Sequence, residues 1–495
     1  MENGTLLAAV DLGSNSFRLE IGRYDSGHIE RVEYLKETVR QGSGLDEHKN
    51  LSLVAMERGW ECLARFAERL QGFHKHQVRA VATQTLREAR NRDDFLRKAQ
   101  QVLGFGIEVV SGHEEARLIY QGVSRLLPQS DERRLVVDIG GRSTELILGQ
   151  GFGARQMESF RLGSVAWSTR YFAHGQLTAA HMQTAEVAAK AVLDEALDLF
   201  SANEWDVAYG SSGTVGAVAE ILAANGWPVG TISREGLDWL TERLLRAGHV
   251  DELRLEGLKD DRRAVIGGGV SVLRAIFDLF QLPHLLRAEG ALRQGALYDL
   301  IDRENDTTDV RERTVRWLKD RFGVDTAQAQ RVSRISTTLF AQVAAPDPKN
   351  GRYSQKLAWA AQLHEIGTHI SHEGAHRHGA YILDNVDAPG FSMPELHRMS
   401  QLVLGQRGKL RKVGPELADD ELLAKQLLCL RLAVLLCHAR RDPTVEALHL
   451  SYHERHFTLS TAPGWARQYP QSAWLLEEEI NAWQKTDWKF SVDWR

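Results

Sequence analysis

Two stretches of the chain repeat each other, Val10-Asp-Leu-Gly-Ser-Asn-Ser-Phe-Arg-Leu-Glu-Ile-Gly22 and Val137-Asp-Ile-Gly-Gly-Arg-Ser-Thr-Glu-Leu-Ile-Leu-Gly149, and they align without a gap. In each copy an apolar run predicts a buried strand, an Asp follows, and a turn of small residues leads into a second strand. Small residues let backbone N–H groups approach an anion closely, and the Asp is expected to hold a hydrated divalent cation. Two ordinary β-hairpins are the alternative, but the shared Asp favours a phosphate site gripped from two sides.

Composition places the chain among ordinary globular proteins. Of 495 residues, 43% are hydrophobic and 26% are charged. The formal net charge of −5 provides no global basic field for nucleic acid. The three cysteines are too scattered for a disulfide framework or a zinc site, which indicates a reducing compartment. The N-terminus lacks a signal segment, and no apolar run approaches the roughly 20 residues of a membrane helix. The prediction is a cytoplasmic protein with neither membrane nor nucleic acid as a partner.

Apolar periodicity predicts an α/β first part and a helical second part. Strands alternate with helices up to residue 303, which is typical of layered folds with mixed sheets. The polar stretch 302–309 is a predicted linker, and the segments beyond it have helical spacing, with a small β element in the tail. The predicted domains are 1–119, 120–303 and 304–495.

Two adjacent glutamates begin a predicted helix after Ser111. Ser-x-x-Glu is a capping box, which gives Glu114 a structural task. Glu115 projects about 100° further round the helix and has no such task. Glu115 is therefore the better candidate for a general base, although the helix dipole alone also favours a carboxylate there.

Other polar groups follow predicted strands. Arg87 and Arg40 are candidate phosphate ligands, since a guanidinium binds phosphate oxygens in pairs, but most arginines are solvated surface residues. Gly210–Thr214 is either a third phosphate-facing turn or a helix N-cap, and the two roles are compatible. The glycines of 266–269 and 290–295 also suggest strand-to-helix turns that line a cleft.

The helical part carries a cluster of histidines and a basic run. His364-Glu365 with His369 suggests a metal motif, but histidines five apart on a helix point about 140° from each other. This spacing favours a polar loop with several histidines. The run Arg407-Gly-Lys-Leu-Arg-Lys412 is a solvated loop or, alternatively, the border of a polyanion channel.

Five motifs occur in an order that resembles the exopolyphosphatase / guanosine pentaphosphate phosphatase family. The resemblance covers essentially the whole chain and implies two actin-like domains (the RNase H-like superfold of sugar kinases, Hsp70 and actin) followed by an HD-like all-α domain. It also implies Mg²⁺-dependent hydrolysis of a terminal phosphoanhydride, and a homodimer. The motifs are Asp11–Phe17, Ser111–Arg117, Asp138–Glu145, Gly210–Thr214 and Gly290–Gly295.

The resemblance also assigns site residues by position. It implies that Glu115 is catalytic and that Asp11, Asp138 and Glu145 lie on the metal side. The implied phosphate-binding residues are Ser14, Asn15, Arg87, Gly140, Ser143, Ser212 and Gly213.

Two positions depart from the family pattern. Arg142 replaces a third Gly in the second turn, where it either adds a phosphate ligand or points away. His364-Glu365 replaces the His-Asp of catalytic HD enzymes, which argues against a working metal site there.

The segment 376–391 resembles the exopolyphosphatase branch more closely, so the predicted reaction is release of terminal phosphate from inorganic polyphosphate. Hydrolysis of pppGpp to ppGpp is the alternative or a second activity. A kinase of the same superfold and a non-catalytic polyphosphate or nucleotide sensor are more remote alternatives.

Overall fold

The computed structural model describes residues 1–128, 130–303, 309–344, 349–443 and 448–494. The chain divides into two compact units, Met1–Asp309 and Val310–Arg495. The predicted linker, 302–309, lies largely outside the described residues. The predicted domain boundaries at 119/120 and 303/304 stay predictions.

The first repeat opens a mixed sheet with the spatial order β3-β2-β1-β4-β5. Strand β1 pairs antiparallel with β2, which sets Asp11 opposite Arg18, and parallel with β4. Strand β1 is buried along almost its whole length because it carries an unbroken apolar run up to Asp11. The strands are β1 (Leu6–Leu12), β2 (Phe17–Asp25), β3 (His28–Glu37), β4 (Val78–Ala82) and β5 (Ile107–Val109); the helices are α1 (Leu53–Arg69), α2 (Gln84–Glu88), α3 (Arg92–Leu103) and α4 (Gly112–Leu126).

The second repeat opens a sheet of matching topology, in the order β10-β11-β9-β6-β7-β8. Strand β6 pairs antiparallel with β7, which sets Asp138 opposite Glu145, and parallel with β9. The strands are β6 (Arg133–Ile139), β7 (Thr144–Gln150), β8 (Gly153–Phe160), β9 (Val207–Ser211), β10 (Thr231–Ser233) and β11 (His284–Arg287). The helices are α5 (Ser164–Tyr171), α6 (Ala179–Leu193), α7 (Ser212–Ala224), α8 (Arg234–Ala247), α9 (Asp260–Arg263), α10 (Ile266–Leu279) and α11 (Leu292–Asp302).

Helix α4 belongs to a core that joins residues of both sheets, Val81 of β4 and Val136 of β6 among them. The backbones of α4 and α11 approach each other closely. A side chain on Gly122 would collide with the carbonyl of Ala291, and a side chain on Gly295 would collide with the carbonyl of Leu118. Glycine is therefore required at these two positions so that the backbones of α4 and α11 can approach each other, and not for anion binding. Gly268, predicted to lie in a cleft-lining turn, is instead inside α10, packed against the backbone of Ser168.

The second unit is helical, with a small sheet of order β12-β13-β14 in its tail. The helical spacing predicted beyond the linker is interrupted after Gln362, where α14 stops, and a 3₁₀ turn, Ile366–His369, follows. The helices are α12 (Val310–Arg321), α13 (Thr326–Val343), α14 (Lys349–Gln362), α15 (Ala375–Asn385), α16 (Met393–Gly405), α17 (Gly414–Leu417), α18 (Glu421–Leu436), α19 (Trp465–Gln468) and α20 (Pro470–Trp483); the strands are β12 (Leu448–His453), β13 (His456–Thr461) and β14 (Lys489–Asp493). Among the described helices, none has the length and apolar character needed to cross a membrane.

Candidate active site

Both repeated turns open onto one cavity of about 540 Å³ in the first unit. The β1–β2 turn contributes Ser14 and Asn15, and the β6–β7 turn contributes Gly140 and Ser143. The carboxylates of Asp11 and Asp138, at the ends of equivalent strands, line the same space. The hollow predicted from the repeat is therefore present, with one turn on each side.

The first turn contains buried polar groups without partners in the described chain. Ser14 Oγ accepts a hydrogen bond from Thr85 Oγ1 at 2.8 Å. In contrast, Asn15 Nδ2 and Ser16 Oγ are buried and form no hydrogen bond with any described residue. An unpaired buried donor is unfavourable by about 1–3 kcal/mol, and a bound anion would satisfy both groups.

The β9–α7 turn forms a third wall and is strained. Ser212 has φ = +89°, a left-handed conformation that is unfavourable for a residue with a side chain. Its Oγ accepts from the backbone N–H of Thr214 at 3.2 Å, so it caps α7. Gly213 next to it lies directly under the guanidinium of Arg262, which a side chain at this position would displace. The N-cap interpretation of this turn thus holds while both residues also line the cavity.

Glu115 lies in the first turn of α4, is only 7% exposed and lines the cavity. Arg87 Nη1 donates to Glu115 Oε2 at 2.7 Å. Burial raises the pKa of Glu115, Arg87 opposes the rise, and the charge of Asp11 adds to it. A raised pKa brings a carboxylate closer to the range of an effective general base.

Arg87 pairs with Glu115 in the structure. It is not among the residues that line the cavity. Besides Glu115, its Nη1 reaches the carbonyl of Val110 at 2.9 Å, and its Nε reaches Gln84 Oε1 at 3.1 Å. Phosphate binding by Arg87 stays a prediction, and its observed contacts fit a residue that positions the carboxylate.

Glu114, the neighbour of Glu115, is fully buried in an ion-pair network. Arg117 donates to both of its oxygens, at 2.7 and 2.8 Å, and Arg79 donates at 3.1 Å. Asp299 binds the same two arginines, each at 2.5 Å. Ser111 Oγ accepts from the backbone N–H of Glu114 at 3.1 Å, as a helix cap does. The Ser111 half of the predicted capping box is therefore formed, while the structural task of the Glu114 carboxylate is to bind Arg117 and Arg79.

Two more carboxylates increase the negative charge beside Glu115. Burial raises the pKa of Asp138 to about 6, and the charges of Glu115 and Asp11 contribute. Burial, Glu115 and Asp138 raise the pKa of Glu145 well above its ordinary value, although Ser159 Oγ donates to Glu145 at 2.8 Å. Glu145 lies behind the cavity and not on its wall.

A divalent cation would relieve this repulsion. Among the described residues, no three His, Cys, Asp or Glu side chains are grouped closely enough to hold a metal ion. Mg²⁺ is commonly held by only one or two carboxylates, with water and substrate phosphates completing its shell. Asp138 and Asp11, which line the cavity, fit that requirement. Asp11 is at present paired with Arg18 at 3.2 Å and Arg293 at 3.5 Å.

Cations on the cavity wall were largely missed by sequence reasoning. They come from β2, β3, α9, β11, α11 and the segment before α9, so no local motif groups them. Arg262 forms no ion pair with a described residue, and burial, together with the charge of Arg18, lowers its pKa. Arg18 and Arg293 lie within the quoted motifs, and for Arg18 the hairpin register, which sets it opposite Asp11, was an available signal. The cations that line the cavity are Arg18, Arg31, Lys36, Lys259, Arg262, Arg287 and Arg293.

Arg142 reaches out of the second turn toward the first sheet's half of the unit. Its Nη2 donates to Glu88 Oε2 at 2.9 Å and its Nη1 to the carbonyl of Gly42 at 3.2 Å. Gly42 N–H in turn donates to the carbonyl of Ser14 at 2.8 Å. The side chain therefore connects the two anion turns and does not line the cavity.

The histidine motif of the second unit is not assembled as a metal site. His364 Nδ1 contacts the carbonyl of Ala361 at 2.7 Å, and Glu365 pairs with Arg440 at 2.8 Å. His369 packs edge-on against Phe322. Because α14 ends before His364, these residues do not share one helical face.

Comparison with known proteins agrees with this arrangement. Profiles of the Ppx/GppA phosphatase family and of its domain III match residues 21–304 and 310–480. Relatives from Vibrio atlanticus and Vibrio cholerae, each called guanosine-5'-triphosphate,3'-diphosphate pyrophosphatase, are 40% identical to the chain over 99% of its length and 98% of theirs. The Aquifex aeolicus family member, a solved structure, is 24% identical with a TM-score of 0.52 over 61% of this chain and 99% of that one.

Two α/β halves with mixed sheets and a polar cavity of about 540 Å³, followed by a helical part, agree with the family match, which makes the protein a phosphoanhydride hydrolase. The chain belongs to the Ppx/GppA phosphatase family.

Proposed function

We propose that the protein hydrolyses the terminal 5'-phosphoanhydride of pppGpp, giving ppGpp and inorganic phosphate. The relatives that match the whole chain carry the name of that activity. Residues 376–391 alone favoured polyphosphate as the substrate. We rank pppGpp first instead, because identity with these relatives over the full length is stronger evidence than resemblance in one segment. Terminal hydrolysis of polyphosphate is the second candidate, since the cavity wall offers turns and cations that would accept any phosphate chain end.

One observation carries the proposal: buried Glu115 shares a cavity with two small-residue turns. In this arrangement the terminal phosphoryl group lies between the turns, where Ser14, Asn15, Gly140 and Ser143 supply donors. Ser212 and Gly213 provide the third wall. Backbone N–H groups of such turns stabilise the charge of the transferring group.

Glu115 takes the role of general base. Its carboxylate orients a water molecule in line with the phosphoanhydride bond and accepts one proton from it. The water oxygen bonds to phosphorus, the bond to the leaving β-phosphate oxygen breaks, and ppGpp departs with that oxygen. Arg87 holds the carboxylate in position through its 2.7 Å hydrogen bond. No covalent intermediate is needed.

Mg²⁺ is the proposed cofactor, and Asp11 and Asp138 are its proposed ligands, with Glu145 supporting them from behind the wall. When bound, the ion would neutralise phosphate charge and polarise the reacting phosphoryl group.

Tyr34 favours a nucleotide over a bare phosphate chain. Its ring lines the cavity, and the guanidinium groups of Arg31 and Arg293 lie 5.6 and 5.2 Å from its centroid. An aromatic face next to cations offers a stacking surface for a purine base.

The remaining predictions belong to the same proposal. The two α/β halves are actin-like, with boundaries at 119/120 and 303/304, and the helical unit is an HD-like domain that serves in binding and dimer contacts. The protein acts as a homodimer. The cytoplasmic location and the absence of nucleic-acid ligands stay predictions.

The test is a side-by-side turnover assay on pppGpp and on long-chain polyphosphate with Mg²⁺. The wild type is expected to have the higher kcat/KM on pppGpp, and Glu115→Gln to lose at least a hundredfold on both substrates. Glu242→Gln, an exposed α8 residue, is the control for loss of a carboxylate. Equal turnover by wild type and Glu115→Gln would remove Glu115 from the mechanism.

A further inference from the structure

Glu220 is a carboxylate on the cavity wall that the proposed chemistry does not use. It lies about two turns into α7, beyond the Ser212 turn that forms the third wall. Glu220 follows Ser212 by eight positions, which at a rise of 1.5 Å per residue places it about 12 Å from that turn along the helix axis. When a terminal phosphate lies at the turns, Glu220 is therefore level with the nucleoside end of a bound nucleotide.

The face of α7 that leads to Glu220 carries small residues and leaves space for a ligand. Gly213, Gly216 and Ala217 line the cavity together with Glu220, at the spacing of residues that share one face of a helix. The atoms nearest to a side chain on Gly216 would be those of the Arg287 guanidinium, at 3.8 Å. The cavity therefore continues along α7 from the phosphate turn to the carboxylate.

Two cations hold the Glu220 carboxylate in place. Lys259 Nζ donates to Glu220 Oε2 at 2.7 Å, and Arg287 Nη1 lies 3.3 Å from Glu220 Oε1. Burial would raise the pKa of Glu220, but Lys259 and Arg287 outweigh it, and the pKa lies below its ordinary value. An ionised carboxylate only accepts hydrogen bonds, at about four lone-pair positions, so positions remain for a ligand that donates.

The ring of Tyr34 belongs to the same part of the cavity. Tyr34 and Lys36 are two apart on β3, so their side chains leave the sheet on one face. Lys36 Nζ donates to Asp261 Oδ2 at 2.8 Å, and Asp261 is two residues from Lys259, which binds Glu220. The segment that contains α9 therefore contacts β3 through one residue and α7 through another.

Arg262, the next residue of that segment, lies close to both groups. Burial and the charge of Arg18 lower the pKa of Arg262. Tyr34 and Glu220 oppose the decrease, as groups near the Arg262 guanidinium do. An aromatic face and a carboxylate are thus presented to one ligand at this end of the cavity.

We propose that Glu220 is the specificity-determining residue that recognises the base of the nucleotide, and that this base is guanine. Guanine presents N1–H and the N2 amino group as adjacent donors, and a carboxylate accepts from both through its two oxygens. Adenine has no donor at N1 and no amino group at C2, so it would leave a desolvated carboxylate without these partners. Tyr34 supports the face of the ring while Glu220 binds its edge. The inference rests on the proposed hydrolysis of pppGpp.

Calorimetric titration of the full-length wild type with ppGpp and with the corresponding inosine and adenosine nucleotides, ppIpp and ppApp, tests the assignment. All three lack the terminal phosphate, so the proposed reaction does not consume them. Hypoxanthine keeps N1–H and lacks the amino group, so ppIpp is expected to bind about tenfold more weakly than ppGpp, and ppApp about a hundredfold. Equal affinity for ppGpp and ppApp, or binding of neither, would overturn the assignment. Turnover of pppGpp decides the proposed function separately, since an enzyme that hydrolyses pppGpp and pppApp alike keeps the reaction and loses only the base recognition.

Two charge-removing variants complete the test. Glu220→Gln keeps the shape of the side chain but offers an acceptor and a donor, which match adenine better than guanine. The ratio of the dissociation constants for ppApp and ppGpp should therefore fall about tenfold. Glu289→Gln removes an exposed carboxylate from the same cavity wall and should leave the ratio unchanged.

A structural role of Glu220 predicts a different result. A residue that only holds Lys259 and Arg287 in place would change the binding of all three nucleotides by the same factor. An unchanged ratio in Glu220→Gln, or an equal fall in both variants, would therefore overturn the assignment.

Discussion

Arg87 donates to Glu115 at 2.7 Å in a pocket where burial would otherwise favour the protonated glutamate. The arginine therefore limits the rise in the pKa of the proposed base. Burial and Asp11 still raise the pKa of Glu115 above its ordinary value, so activity should increase as pH rises through that raised pKa.

Arg87→Gln removes the opposing charge, so the pKa of Glu115 should rise further and the acidic limb of the pH profile should move to higher pH. The measurement is kcat/KM for pppGpp across pH, with Arg90→Gln as the control for loss of a neighbouring charge. A limb that stays in place or moves to lower pH would contradict the pairing described for Glu115.

Asp138→Asn should stabilise the protein near neutral pH. The folded pKa of Asp138, about 6, lies above the ordinary value of 3.8, so its ionisation destabilises the folded state as pH rises through that interval. Asn removes the charge, and the expected gain in the free energy of unfolding is about 1–3 kcal/mol at pH 7. Urea unfolding at pH 7 and pH 4 measures it. The gain should vanish at pH 4, and a gain of the same size at both values would exclude an ionisation effect.

Glu114→Ala should destabilise the fold, in contrast to Glu115→Gln. Removal of the Glu114 carboxylate leaves Arg117 and Arg79 buried with fewer partners, and a broken buried pair typically costs about 3–5 kcal/mol. Thermal and urea unfolding of the two variants, measured in parallel, separate them. Equal stability of the two proteins would refute the different tasks assigned to adjacent glutamates.

Arg142→Gly and Glu88→Gln should act on one contact. Each removes the 2.9 Å ion pair that connects the second turn with the end of α2, and each should lower kcat/KM about tenfold by loosening the spacing of the turns. In a double-mutant cycle the combined variant should be hardly worse than either single one. Fully additive losses would mean that the two residues do not work together.

The paired hairpins and the position of Glu115 could be predicted from the sequence, because the motifs that indicate them are contiguous in the chain. An apolar run, an Asp and a small-residue turn are contiguous, and a helix cap fixes which of two adjacent glutamates is free. The positions of Arg262 and Lys259 on the cavity wall could not be predicted, because tertiary packing brings them there from a segment with no motif. The Arg87 partner was also unpredictable, because 28 residues separate it from Glu115. The names of the relatives favour pppGpp over the polyphosphate preference drawn from 376–391, a segment that lies outside the unit that contains the cavity.

The close approach of α4 and α11 makes the position of the base depend on residues that never meet substrate. Glu115 and Gly122 lie on the same rigid helix, and at Gly122 there is no room for even one methyl group against Ala291. A methyl group on Gly122 would push α4 away from α11, and the carboxylate of Glu115 in the first turn of α4 would move with the helix. Displacements of about 1 Å can reduce catalysis a hundredfold. Substitutions in the contact between α4 and α11 can therefore reduce activity even though these residues do not contact the ligand.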